Sequence, residues 1–159
     1  MSDCPGCRTS LDQWVYVSEI RRFQPPCGHP CVDHAKALGA AGVQMGSAYL
    51  CSDEASTSTL HRAALQSPAA RHTALTNVFT GRPARGIVNR VMRELGPISP
   101  LAPAFPLATA AMAPLRAAAE ALGRTDFSPL WSGQNAAGAR SLSAADITRD
   151  LAQGWHTQP

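Results

Sequence analysis

The sequence predicts an α/β protein in which one αβ unit precedes a mostly helical tail. Three observations point there. Asp33–Leu38 is a short helix-prone segment stopped by Gly39, and Gly42-Val43-Gln44-Met45-Gly46 then reads as a strand running into a glycine turn. Farther along, apolar residues recur at helical spacing in several separate segments. Finally, 159 residues with a 45% hydrophobic and only 16% charged composition exclude a disordered chain and suit one folded domain.

Each element has a local reason. Trp14-Val15-Tyr16-Val17 is β-prone but too short to specify a strand alone. Ser52-Asp53-Glu54 offers a capping hydroxyl and two carboxylates, which predicts a helix start there. Leu60, Ala64 and Leu65 continue it as an amphipathic helix that Pro68 ends. Thr73–Thr80 is branched and aromatic enough to be extended. Ile87, Val88, Val91, Met92 and Leu95 have helical spacing, and Gly96 closes the segment. Pro97, Pro100, Pro103 and Pro106 forbid helix or inner strand and suit either a polyproline ligand for a partner's aromatic groove or, favoured here, an extended surface connector anchored by Leu101 and Phe105. Met112, Leu115, Ala119 and Leu122 form a further helix, ended by Gly123. The last helix has a capping-box pattern, Ser143 with Asp146, a staple of Leu142 onto Ile147, and Gly154 as its stop.

Composition narrows the function classes. A net charge of +3 is mild and gives no footprint for nucleic acid. No apolar run approaches 18 residues, so no membrane span is expected. The first residues lack the basic and apolar regions of a signal peptide, and five cysteines without one fit a reducing, cytoplasmic compartment. Cys4-Pro5-Gly6-Cys7 and Cys27-Gly28-His29-Pro30-Cys31 could close a four-thiolate zinc site in a small interaction module. The three-residue spacer of the second pair and the terminal position of the first argue against it.

Other segments suggest anion or ligand chemistry. A strand ending in Gly46-Ser47 lets backbone amides approach an anion and adds one hydroxyl, although a plain structural link has the same composition. Thr80-Gly81-Arg82-Pro83-Ala84-Arg85-Gly86 places two arginines between glycines, suited to bidentate pairing with phosphate or carboxylate, or else to a solvated loop. Trp131-Ser132-Gly133-Gln134-Asn135 joins an aromatic to two amides, a pattern for lining a polar ligand or for plugging a core.

Three co-linear stretches, AAGVQMGSAYL, ALTNVFTGRPARGIVNRVMRE and FSPLWSGQNAAGAR, together resemble the C-terminal part of nitronate monooxygenases, formerly 2-nitropropane dioxygenases. The resemblance covers about Ala35 to the end. It implies the C-terminal remnant of an FMN-binding TIM (β/α)8 barrel followed by a mostly helical tail. It divides the chain into an unmatched segment 1–31, a last barrel αβ unit with its following helix at 32–70, and a mostly helical subdomain at 71–159. The family's Gln-Met-Gly-Thr segment holds the FMN phosphate through backbone groups. Its counterpart here is Gln44, Met45, Gly46 and Ser47, with serine keeping the hydroxyl. Arg82, Arg85, Trp131, Gly133 and Gln134 fall in segments on the cofactor side of the family fold. The implied activity is oxidation of alkyl nitronates, or of nitroalkanes, by FMN with O2. The flavin-type enoyl-acyl-carrier-protein reductases share fold and cofactor and form the alternative.

The sequence also departs from the family pattern. The family's upstream catalytic histidine has no counterpart, and His29, His34, His61 and His72 do not stand in its context. The family's Gly-Gly phosphate loop is replaced by Gln24-Pro25-Pro26-Cys27-Gly28-His29. With a barrel needing about 250 residues, the expectation is a truncated chain with little activity alone.

Overall fold

The computed structural model describes residues 42, 45–134 and 136–156. The cysteines Cys4, Cys7, Cys27 and Cys31, the strand candidate Trp14–Val17, the helix candidate Asp33–Leu38 and Gln44 lie outside the described residues. So does Val43 of the predicted strand, of which Gly42, Met45 and Gly46 are described. The described chain is mixed α/β and forms two compact units: residues up to Ala55 together with those from Gly138, and the continuous stretch Ser56–Ala137. Residues 56–70, expected to belong with the preceding segment, thus group with the segments after them.

In the first unit, Gly46 leads into a 3-10 turn, Ser47–Tyr49. The amides of Tyr49 and Leu50 donate to the carbonyls of Gly46 and Ser47 at 3.0 and 3.3 Å. Helix α4, Ala144–His156, packs on this turn, and the Tyr49 hydroxyl meets Thr148 Oγ1 at 3.0 Å. The predicted cap is present: Ser143 Oγ accepts from the Asp146 amide at 3.0 Å and donates to Asp146 Oδ2 at 2.6 Å. A second cap comes from far away in sequence. Both Glu54 carboxylate oxygens accept from the Ala144 amide, at 3.1 and 2.8 Å. Glu54 therefore satisfies a helix N-terminus, as its charge suits, but not the helix expected to begin beside it. Gly154 does not stop α4, which continues to His156.

The second unit begins with helix α1, Thr59–Gln66, capped by Ser58 rather than by Ser52; Ser58 Oγ accepts from the His61 amide at 3.3 Å. Pro68 opens a 3-10 turn, Pro68–Arg71, as expected for a residue that cannot extend α1. Strands β1, Thr73–Thr76, and β2, Ala84–Ile87, pair antiparallel with Thr73 opposite Ile87 and Thr76 opposite Ala84. A third segment joins β2: Gly86 bridges to Trp131, Ile87 donates to the Leu130 carbonyl at 2.9 Å, and Ser132 donates to the Arg85 carbonyl at 3.1 Å.

The helical spacing that includes Ile87 and Val88 is corrected here. Helix α2 is only Arg90–Leu95, because Asn89 takes extended backbone and caps it. Asn89 Nδ2 also donates to the carbonyls of Thr125 and Ser128, both at 2.9 Å, so one side chain ends a strand, starts a helix and ties down a loop. The proline run is neither helix nor strand, as expected, but Leu101 is 75% exposed and so anchors nothing. Helix α3, Leu107–Ala121, starts before the expected face and contains Pro114. Ala108 and Ala119 are buried, while Leu115 and Leu122 are exposed. The core of this unit is Val78, Phe79, Val91 and Met92, with Met112, Phe127 and Trp131 packed against it.

Candidate functional site

Of the residues matched to the phosphate-binding segment, Met45, Gly46 and Ser47 are described. They form the entry to the 3-10 turn in the first unit, with Gly46 exposed and Ala48, Cys51 and Ser52 buried behind it. A Cβ built at Gly46 would meet nothing within 4 Å, and its φ of −107° is open to any residue. The packing of the described residues therefore does not require glycine there. The carbonyls of Gly46, Ser47 and Tyr49 accept from the amides of Tyr49, Leu50 and Ser52 at 3.0, 3.3 and 3.0 Å.

In the second unit, β2 and its neighbour bring Arg85 beside the Trp131–Gln134 segment. Arg85 Nη1 donates to the Thr73 hydroxyl and carbonyl at 3.3 and 3.4 Å. Arg82 goes elsewhere: its guanidinium lies 4.2 Å from the centre of the Phe105 ring. Gly81 makes this possible, because its φ is +88° and a Cβ there would lie 2.4 Å from the Phe105 nitrogen. Among the described residues, neither Arg82 nor Arg85 pairs with a carboxylate, whereas Arg90, Arg116, Arg124, Arg140 and Arg149 all do.

Trp131 is half-buried and meets Phe79 edge to face, centroids 5.6 Å apart. Gly133 is buried and Gln134 exposed. Sequence reasoning missed two polar atoms here. His61 Nε2 and Ser132 Oγ are buried with no hydrogen-bond partner among the described residues. Burial pushes the His61 ring below its ordinary pKa, partly offset by a hydrogen bond to the Trp131 backbone. No sequence signal links His61 to Trp131, seventy positions later in the chain. Among the described residues, no group of three or more metal-ligating side chains comes together, and no helix is long and apolar enough to cross a membrane.

Residues 29–154 match the nitronate monooxygenase family. The nitronate monooxygenase of Pseudomonas aeruginosa is 42% identical over 120 residues, which are 75% of this chain and 34% of that protein. The Paraburkholderia phytofirmans nitronate monooxygenase is 41% identical over 119 residues, 74% of this chain and 32% of the relative. A solved nitroalkane oxidase from Streptomyces ansochromogenes superposes with a TM-score of 0.71 at 37% identity, covering 87% of this chain and 37% of that one. The chain thus spans about a third of the length of the relatives it matches. With most of its length matched, the chain belongs to the nitronate monooxygenase family.

Proposed function

We propose that the chain carries part of an FMN-dependent oxidoreductase of the nitronate monooxygenase type, acting on alkyl nitronates or nitroalkanes with O2. On this reading, the first unit is the end of an FMN-binding (β/α)8 barrel. The observation that carries it is the open turn at Gly46. No described residue requires its glycine, and in the family resemblance this turn corresponds to the segment that would meet the FMN phosphate. Gln44, Met45 and Gly46 would hold the phosphate through backbone groups, and Ser47 would add its hydroxyl. Arg85 and Arg82, without carboxylate partners among the described residues, and Trp131, Gly133 and Gln134 lie on the cofactor side in this proposal. When bound, FMN supplies electron acceptance from the nitronate and reaction with O2. The chain's contribution is to hold and orient it, and no residue here is assigned as a base.

Two measurements test this reading. Purified protein should bind FMN, seen as quenched flavin fluorescence, and oxygen uptake with a nitronate should require that flavin. Ser47→Glu should lose the flavin by setting a carboxylate against the phosphate. Retention of FMN by that variant would remove the phosphate from Gly46.

A further inference from the structure

We propose that helix α3 docks on α3 of a second copy of this chain, antiparallel, about a twofold axis that passes between Pro114 and Leu115. Of the residues in Leu107–Ala121, only Thr109, Arg116 and Glu120 are polar, and all three are satisfied within the chain. Thr109 Oγ1 donates to the Phe79 carbonyl at 3.1 Å, and Arg116 pairs with Glu120 at 2.8 Å. The helix rests on its own unit through buried Ala108 and Ala119 and through Met112, which packs on the core. A helix this apolar around its circumference is normally covered. Yet Leu107, Leu115 and Leu122 are 63%, 51% and 75% exposed, an apolar surface of the kind that marks a contact with another chain.

The exposed residues form a stripe with a symmetry of its own. Leu107, Ala111, Pro114, Leu115, Ala118 and Leu122 are all exposed and share one face of the helix. Their spacing, four, three, one, three and four residues, reads the same from either end. In the antiparallel pair, Leu107 meets Leu122 of the second copy, Ala111 meets Ala118, and Leu115 meets Pro114. That self-matching is what a twofold contact needs, and an unrelated partner would not need it. The alanines let the helix axes approach closely, and opposed helix dipoles favour the antiparallel sense. Charge stays out of the contact, because Arg116 and Glu120 lie on another side of the helix.

The area suits a reversible dimer. At about 1.5 Å per residue α3 is about 22 Å long, so half its accessible cylinder is roughly 450 Å² per copy and about 900 Å² for the pair. Permanent interfaces are larger, so the dimer is a weak one, with a Kd on the order of 10 µM.

Sedimentation velocity of the full chain, from about 1 to about 200 µM, reads this directly. Monomer should convert to dimer and to no larger species, since a twofold contact closes on itself. Leu115→Glu sets two carboxylates beside the axis and should weaken the dimer about 100-fold or more, with an unchanged circular dichroism spectrum. Ala113→Glu, exposed on the other side of the helix, should leave the dimer within about twofold of wild type. A chain that stays monomeric throughout, assembly beyond the dimer, a dimer that survives Leu115→Glu, or equal weakening by Ala113→Glu would each overturn the pairing. An unrelated polypeptide as the natural occupant of α3 would give the first of these results. Should Leu115→Glu lose helix content, Ala118→Glu on the same stripe takes its place. None of these outcomes depends on flavin binding.

Discussion

A Cβ added at Gly81 would lie 2.4 Å from the Phe105 nitrogen and 2.5 Å from the Pro103 oxygen; one added at Gly46 would meet nothing within 4 Å. The first glycine has φ +88° and is demanded by the loop packed against it, whereas the second has a φ any residue adopts. Gly86 resembles Gly81, since its Cβ would press on the Leu130 oxygen at 2.9 Å. Glycine at Gly81 and Gly86 is thus explained by the fold, whereas at Gly46 no described residue calls for it, which is the opening that the proposed phosphate site uses. The same residue type can mark packing or binding, and only the space around it separates the two.

The sharpest way to break this contrast is substitution at the two positions. Gly81→Ala combines a strained φ with a backbone collision and should cost about 3 kcal/mol or more. Chemical denaturation of the second unit would show it, and a loss under about 1 kcal/mol would mean the loop tolerates a side chain. Next in size is Asn89→Ala. It removes a helix cap and two buried donors, from the carbonyls of Thr125 and Ser128. A loss of about 2–3 kcal/mol is expected in the same assay.

Glu120 gives a smaller, pH-dependent effect. Hydrogen bonds from Arg116 and then Ser128 hold its carboxyl below the usual value of 4.5. Its stabilisation is therefore present above pH 4.5 and lost as the pH falls through the lowered value. Because the pair is partly solvated, Glu120→Gln should cost only about 0.5 kcal/mol at neutral pH. It should also flatten the acid limb of the stability curve, and an unchanged limb would remove Glu120 from the account. The smallest effect on stability belongs to Gly46→Ala, expected within about 0.5 kcal/mol of wild type. A large loss there would show that the fold does need that glycine.

How legible each feature is in the sequence depends on the distance over which it is decided. Ser143 with Asp146, the stop of α1 at Pro68 and the end of α3 near Gly123 are settled within a few residues, and all are present. Ile87 and Val88 mislead because their spacing to Val91, Met92 and Leu95 fits a helix. Pairing with β1 and with Leu130 outweighs that local pattern. Ser52 and Glu54 look like a helix start, yet Glu54 caps α4 ninety positions away. Arg82 reads as an anion clamp, but its stacking on Phe105 depends on a loop contact that no local signal announces. For the candidate site, the motif order discloses the family. The sealed Nε2 of His61 and the contrast between Gly46 and Gly81 are three-dimensional properties and need coordinates.

The claim that Gly46 opens toward a phosphate is tested most directly by comparing FMN with riboflavin, which lacks only the phosphate. Titration of the purified chain should show FMN binding about tenfold or more tightly than riboflavin, the contribution of charge-assisted bonds to one anionic group. In Ser47→Glu the two affinities should become equal while the circular dichroism spectrum stays that of wild type. Equal binding of FMN and riboflavin by the unmodified chain, or a preference that survives Ser47→Glu, would contradict the account.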